Sequence, residues 1–237
     1  MEKQNINLSF NKEVKGEIRK FWVQILSEDQ KKEALEIFRR YFVRDEPLCR
    51  CLEMIEDKES MEYFTRFLWY AINQNCTLAC FVELEDGQNE MVAVNICYRN
   101  TTVKEMVQRA EFQEVPEGIN KILETLMYLN KLKDISQEMN VTEYLTSIGL
   151  VVIPEYRGYN LGLQVLASRK MLCEKLGLKA SLTTFTSPAS QRLAEKGGFK
   201  DIVSLTYDEL EKMRPASKFP DINKYSKRIR NMYILYE

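Results

Sequence analysis

Apolar side chains recur along this chain in two periods, and the switches between them mark out its elements. Residues 18–25 are β-prone and read as a strand, although their alternation is imperfect. Ser27-Glu28-Asp29-Gln30 then has the form of a capping box with acids in a first turn. Ala34, Leu35, Ile37, Phe38, Tyr41 and Phe42 follow at three- and four-residue spacings, which predicts an amphipathic helix. That helix should end near Arg44 or Asp45, because Pro47 biases Glu46 out of the α region. Ser60 is expected to cap a second helix carrying Met61, Phe64, Phe67, Leu68 and Ala71. Residues 76–84 and 91–98 flank Glu85-Asp86-Gly87-Gln88-Asn89 and read as a hairpin.

Pro116 opens a helical region to about Lys133, with Ile119, Leu123, Leu126, Met127 and Asn130 in register. Residues 144–153 read as a buried strand broken at Pro154. A loop follows, then a helix over 160–176 with Leu161, Val165, Leu172 and Leu176 on one face. Residues 180–186 form the next strand and 188–196 a short helix; Gly197-Gly198 then turns into a strand starting near Phe199. Residues 232–236 complete the pattern as a last strand, while 215–231 are polar and basic and read as loop. With no long linker or repeat, residues 1–237 are expected to form a single domain of α/β class.

Composition narrows the picture by exclusion. With 45% hydrophobic and 11% aromatic residues the chain is not a disordered one, and 9 Gly and 6 Pro exclude a collagen-like one. The 34 Lys+Arg against 35 Asp+Glu leave a net charge of −1, which argues against nucleic acid as a partner. The longest apolar stretch, around 148–153, is far short of the roughly 20 residues a membrane span needs. Residues 1–5 are polar and lead into no apolar run, so the expected location is cytoplasmic and no membrane partner is expected. In that setting Cys49, Cys51, Cys76, Cys80, Cys97 and Cys173 are expected to be reduced, buried thiols. A zinc site is poorly supported by one C-x3-C pair, so no metal is expected.

The most limiting count is histidine, 0. Ser-His-Asp and Cys-His nucleophile pairs and imidazole bases are all excluded. Any general base must be a carboxylate, Lys, Tyr, Cys or an ordered water.

The segment richest in chemistry is Val152-Ile153-Pro154-Glu155-Tyr156-Arg157-Gly158-Tyr159-Asn160-Leu161-Gly162, a strand delivering a glycine-containing loop straight into a helix. Such a loop suits an anion, since glycines let backbone approach a ligand and a helix start leaves N–H groups without partners. The same glycines also suit a plain strand–helix connection, and local physics leaves both readings open. The segment lacks the glycine pattern of a dinucleotide fold and the G-K-[ST] of a P-loop.

These residues resemble the pyrophosphate loop of the GNAT superfamily of acetyl-CoA-dependent N-acyltransferases, R/Q-x-x-G-x-G/A, which V-x-P-x-Y-R-G precedes in many members. Arg157 and Gly162 match its ends. Asn160 replaces the middle glycine, and Asn tolerates a left-handed backbone best among the other residues. Glu195-Lys196-Gly197-Gly198-Phe199 matches the family's K-x-G-F ending, and the position of the tyrosine that serves many members as general acid is Ala194. Within the superfamily the chain resembles the insect arylalkylamine N-acetyltransferases over residues 20–236. Their F-F-x-x-E-P-L-like motif corresponds to Tyr41-Phe42-Val43-Arg44-Asp45-Glu46-Pro47-Leu48, and their [S/T]-S-x-x-S pattern to Thr186-Ser187-Pro188-Ala189-Ser190.

The resemblance implies a twisted, mostly antiparallel sheet with a central parallel pair and helices on both faces. It implies acetyl-CoA as acyl donor and a small primary amine as acceptor, either an arylalkylamine such as dopamine, serotonin or tyramine, or a polyamine-like amine, with the protein acting as a monomer. Glu46 would be the general base, Asp45 a solvated or capping neighbour. Ser190, or Thr186 behind it, would protonate the leaving thiolate or hold a water; the bland reading for Thr186 and Ser187 is helix capping. The backbone of Leu150, Val151 and Val152 would hold the pantetheine arm. Arg157, Gly158, Tyr159, Asn160, Leu161 and Gly162, with Ser187, would meet the rest of the coenzyme, a surface salt bridge being the alternative for Arg157. Tyr41, Phe42 and Phe185 would line the acceptor site or simply fill the core. Two other functions stay open: a non-catalytic coenzyme A-binding or regulatory module, which Asn160 and Ala194 favour, and acetylation of protein lysines or N-termini.

Overall fold

Alternation and helical period resolve into one eight-stranded sheet with order β1-β2-β3-β4-β5-β6-β8-β7. The computed structural model describes residues 8–106, 108–133, 137–138 and 140–236, so the polar run over residues 1–5 lies outside the described residues. The strands are β1 (Leu8–Val14), β2 (Glu17–Ile25), β3 (Leu78–Glu83), β4 (Asn89–Arg99), β5 (Leu145–Val152), β6 (Ala180–Phe185), β7 (Lys200–Thr206) and β8 (Arg228–Leu235). The α-helices that matter below are α1 (Lys31–Asp45), α2 (Pro47–Cys51), α3 (Lys58–Ile72), α4 (Asn100–Met106), α5 (Glu117–Leu132), α6 (Leu161–Ala167), α7 (Arg169–Leu176), α8 (Pro188–Lys196) and α9 (Tyr207–Met213).

Neighbouring strands pair antiparallel except β5 and β6, the parallel pair at the centre. The two faces of β4 divide the core as strand alternation requires. Val94 and Ile96 face α1, α3 and α5 through Phe38, Phe64, Leu68 and Ile119. Ala93 and Cys97 face α6 and α7 through Leu161, Val165 and Leu172. Helices therefore cover both faces, and the sheet matches the mixed, mostly antiparallel arrangement expected.

Several local expectations are corrected. The expected Ser27–Gln30 capping box forms, with the Ser27 N–H donating to Gln30 Oε1 (3.1 Å), but it closes a 3-10 turn at Glu28–Gln30 and α1 starts only at Lys31. Asp57, not Ser60, caps α3, accepting from the N–H groups of Glu59 (3.1 Å) and Ser60 (3.2 Å). The helix expected over 160–176 is two helices. Ser168 Oγ donates back to Gln164 O (2.8 Å), the carbonyl that the Ser168 N–H also uses (3.0 Å), a local bond that perturbs the helical ladder. The segment expected to be loop over 215–231 contains the start of β8, which begins at Arg228 because its arginines lie along a half-exposed strand. Strand β1 and helices α4 and α9 were not foreseen; β1 turns into β2 through Lys15 and Gly16, both at positive φ (52° and 88°).

All six cysteines are buried and unpaired. Burial pushes the thiols of Cys76, Cys80 and Cys173 up to about 12. Among the described residues no helix is long and apolar enough to cross a membrane.

Candidate active site

The corner between α1 and α2 is made by one residue with two duties. Glu46 leaves the helix with φ −74° and ψ 124° while its N–H still donates to Phe42 O (2.8 Å). Its carboxylate then caps α2: Oε2 accepts from the N–H of Cys49 (2.7 Å), and Pro47 occupies the first helical position, where no N–H is needed. The other oxygen, Oε1, is enclosed and has no hydrogen-bond partner. One oxygen thus holds the corner and the other is not spent on the cap. The Cys49 thiol beside it is raised well above its ordinary value by burial first and by the Glu46 charge second.

The preceding residue ties this corner to the sheet. Asp45 Oδ2 meets Arg157 Nη2 at 2.6 Å, and Arg157 Nε donates to Val152 O (2.9 Å) at the end of β5. Arg157, expected beside a pyrophosphate, is therefore held in a half-exposed ion pair. Phe42, one turn before Glu46, stacks on Phe38 (ring centroids 4.4 Å) and Phe64 (6.1 Å) and reaches β5 at Gly149.

Strand β5 offers the site its backbone. On one side it pairs with β4 along its length, with Ile96 opposite Gly149 and Cys97 opposite Ser147, so Ile148 bulges out of the ladder. On the other side it meets β6 only at Leu145↔Ser181. Past that pair the main chain of residues 146–152 is not shared with β6, and the two strands separate. Asn95 on β4 steadies the bulge, its Nδ2 donating to Gly149 O (2.7 Å).

Beyond β5 a 3-10 turn (Pro154–Tyr156) leads into the loop, which Tyr156 anchors by donating its hydroxyl to Glu90 (2.9 Å). Gly158 (φ 90°) and Asn160 (φ 61°, ψ 17°) both adopt the left-handed conformation, so Asn160 does fill the place of a glycine. Asn160 is the N-cap of α6, and its carbonyl accepts from Leu163 N (3.1 Å). Tyr159 is half-buried and Leu161 fully buried beneath the loop. A side chain at Gly162 would meet Leu193 (3.3 Å), Leu150 (3.5 Å) and Val152 (3.6 Å), so its absence lets α6 lie close to both β5 and α8.

Ser187 and Ser190 form a reciprocal cap at the start of α8. Ser190 N–H donates to Ser187 Oγ (3.1 Å), while Ser190 Oγ donates to Ser187 O (2.9 Å). Thr186 precedes this cap, half-buried at the end of β6. The expected pair of hydroxyls is therefore placed at the β6–α8 turn, with both serines already engaged.

Four residues of this region escaped the sequence reading. Ile148 bulges, and a glycine inside an apolar strand, Gly149, was the available sign. Asn95 stands in an otherwise apolar strand. Arg169 falls on the apolar stripe of the Leu161–Leu176 pattern, and its guanidinium, 1% exposed, donates to Asn95 Oδ1 (2.8 Å), Ser181 (3.2 Å), Thr183 (2.8 Å) and Ser147 (2.6 Å). It therefore joins β5 to β6 where their backbone ladder is shortest. Tyr207 had no sign in the sequence; its buried hydroxyl has no partner.

No family model matches the chain, and no curated protein matches it. Solved structures do. A yellow fever mosquito (Aedes aegypti) protein assigned as arylalkylamine N-acetyltransferase 7 is 27% identical with a TM-score of 0.84, covering 98% of this chain and 94% of its own. Arylalkylamine N-acetyltransferase 2 from Aedes aegypti is 17% identical with a TM-score of 0.74, covering 92% and 99%. A Drosophila melanogaster polyamine N-acetyltransferase that catalyses the formation of N-acetylagmatine is 18% identical with a TM-score of 0.69, covering 91% and 99%.

Proposed function

We propose that this chain, which has the fold of the GNAT N-acetyltransferases, moves an acetyl group from acetyl-CoA to the primary amine of a small arylalkylamine or polyamine-like molecule. The observation that carries this reading is the arrangement along β5. Its edge past Leu145 is not shared with β6, it ends at the left-handed Gly158–Asn160 loop, and the Glu46 corner is held against it by Phe42 and by the Asp45–Arg157 pair. The structural likeness to N-acetyltransferases over nearly the whole chain supports it.

The unshared edge of Leu150, Val151 and Val152 suits a pantetheine arm, whose amides can continue a strand ladder. The backbone of Gly158, Tyr159, Asn160, Leu161 and Gly162 suits the pyrophosphate, with Arg157 adding charge if it exchanges Asp45 for a phosphate and Ser187 offered as a further coenzyme contact. The backbone released at the Ile148 bulge suits the developing thioester oxyanion, a kind of contact often worth about 3–4 kcal/mol.

Glu46 Oε1 takes a proton from the bound ammonium, directly or through water, and the neutral amine attacks the thioester carbonyl. The C–N bond forms, the attacking nitrogen releases its second proton to solvent, the C–S bond breaks, and the thiolate takes a proton from Ser190, from Thr186 or from solvent. Because Ser187 and Ser190 are spent on capping α8, solvent is the simpler donor. The test is thiol release from acetyl-CoA over a panel of arylalkylamines, polyamines and lysine peptides. Turnover with small amines supports the reading; binding of acetyl-CoA without turnover on any of them makes the chain a binding module, and turnover only on peptides makes it a protein acetyltransferase.

A further inference from the structure

The hydrogen bonds at the β5 bulge run in one direction. Arg169 opens α7, and a guanidinium can only donate. Its Nε therefore requires the side-chain oxygen of Asn95 (2.8 Å), which turns the Asn95 amide nitrogen toward Gly149 O (2.7 Å). Its Nη2 donates to Ser147 Oγ (2.6 Å). Ser147 and Gly149 are the two residues flanking Ile148. One guanidinium thus grips both sides of the bulge, directly at Ser147 and through Asn95 at Gly149, and all three side chains are buried. Ile148 and Gly149 both face α1, since Ile148 packs in the cluster of Phe38 and Phe64 and a Cβ on Gly149 would meet Phe42. Asn95 lies between Ala93 and Cys97 on β4, whose side chains face α6 and α7, so the grip comes from the opposite face of the sheet.

The fourth and fifth contacts of this cluster explain its form. Arg169 Nη1 donates to Ser181 (3.2 Å) and Thr183 (2.8 Å) of β6. A backbone ladder between β5 and β6 would consume the main chain of residues 146–152. A side chain spanning the two strands fixes their separation and leaves that edge unshared. No carboxylate pairs with Arg169 among its partners, and burying a cation without one is costly. Packing alone therefore gives no reason for a cation here, whereas holding an open strand edge does.

We propose that Asn95 and Arg169 are positioning residues for the acyl transfer: they fix the bulge so that its released backbone meets the thioester oxygen where negative charge develops. This role rests on the acetyl-transfer reading, with the thioester lying on β5. The pantetheine arm, on Leu150 to Val152, lies beyond the grip. Displacing an oxyanion contact by about 1 Å can cost on the order of 100-fold in rate, while contacts made equally in the ground state are untouched. Loss of the grip is thus expected in kcat and not in coenzyme affinity.

The experiment uses three variants. Asn95→Asp keeps the size and the oxygen that faces Arg169 but puts an acceptor where Gly149 O needs a donor. Ser147→Ala removes the other grip. Ser181→Ala removes the longest contact of the same guanidinium, on the β6 side, with Thr183 left to hold that strand. Each is compared with the wild type for kcat and KM with the best amine, for coenzyme A affinity by titration, and for amide hydrogen exchange over residues 147–149 in the free protein. Asn95→Asp and Ser147→Ala should lower kcat about tenfold or more, leave the dissociation constant for coenzyme A within about threefold, and speed exchange over 147–149. Ser181→Ala should keep kcat within about twofold of the wild type. Wild-type kcat in folded Asn95→Asp and Ser147→Ala overturns the proposal and leaves acetyl transfer standing. Equal losses of kcat in all three variants also overturn it, because the cluster is then a structural core without a preferred side. A wild type that turns over no amine removes the acetyl-transfer reading and this role with it. If Asn95→Asp does not fold, Ser147→Ala decides by the same criteria.

Discussion

The ring of Phe42 occupies the space that any side chain at Gly149 would need: a Cβ there would lie 2.2 Å from Phe42 Cε2. Phe42 has little room to retreat, being stacked on Phe38 at 4.4 Å and Phe64 at 6.1 Å. Gly149→Ala should therefore destabilise the fold by about 1–3 kcal/mol through overpacking, read by chemical denaturation. Because Glu46 sits one turn beyond Phe42, the same variant should lose activity beyond what its stability explains. A Gly149→Ala protein with wild-type stability would mean that α1 does not press on β5 as described.

Arg169 makes a different demand. Its guanidinium is buried with four oxygen partners on β4, β5 and β6 and no carboxylate among them. Arg169→Met removes the cation but strands Asn95, Ser147, Ser181 and Thr183, so the expected loss is about 2–4 kcal/mol. Hydrogen exchange should localise the loosening to β5 and β6, whose backbones share only the Leu145↔Ser181 pair. Uniform loosening of the whole sheet would contradict a stapling role.

The buried thiols predict how stability depends on pH. Cys51 is raised to about 11, and Cys76, Cys80 and Cys173 to about 12, by burial. A thiol with a raised folded-state pKa contributes stability that is complete below its unfolded value of about 8.5 and is lost as pH climbs toward the folded value. Denaturation midpoints should thus hold up to about pH 8 and fall steadily toward pH 10 and above. A midpoint that rises over that range would contradict the burial of these groups.

Much of this architecture was readable because it rests on local rules. Pro47 set the end of α1, and the 3.6-residue spacing from Ala34 to Phe42 gave that helix its buried face. The left-handed Asn160 followed from the tolerance of asparagine for that conformation. What the sequence hid depends on contacts distant along the chain. The break at Ser168 turns on a side chain bonding back to Gln164, and a serine in a helical pattern gives no sign of which way it bonds. For Arg157 a pyrophosphate contact and a surface salt bridge both stay open from the sequence, and nothing local names the salt-bridge partner, Asp45, which is 112 residues away. Tyr207 shares an apolar cluster with Leu48 and Cys51 of α2, a contact between distant parts of the chain that no local pattern announces.

The account stands on Glu46, the carboxylate that replaces imidazole in a chain with no histidine. Its most direct test is kcat/KM for thiol release from acetyl-CoA with the best amine, measured for the wild type and Glu46→Gln near pH 7, with acetyl-CoA affinity determined by titration of both. Loss of a general base should cut kcat/KM by about 100-fold or more while the dissociation constant for acetyl-CoA stays the same. A Glu46→Gln protein that turns over at the wild-type rate would contradict the account.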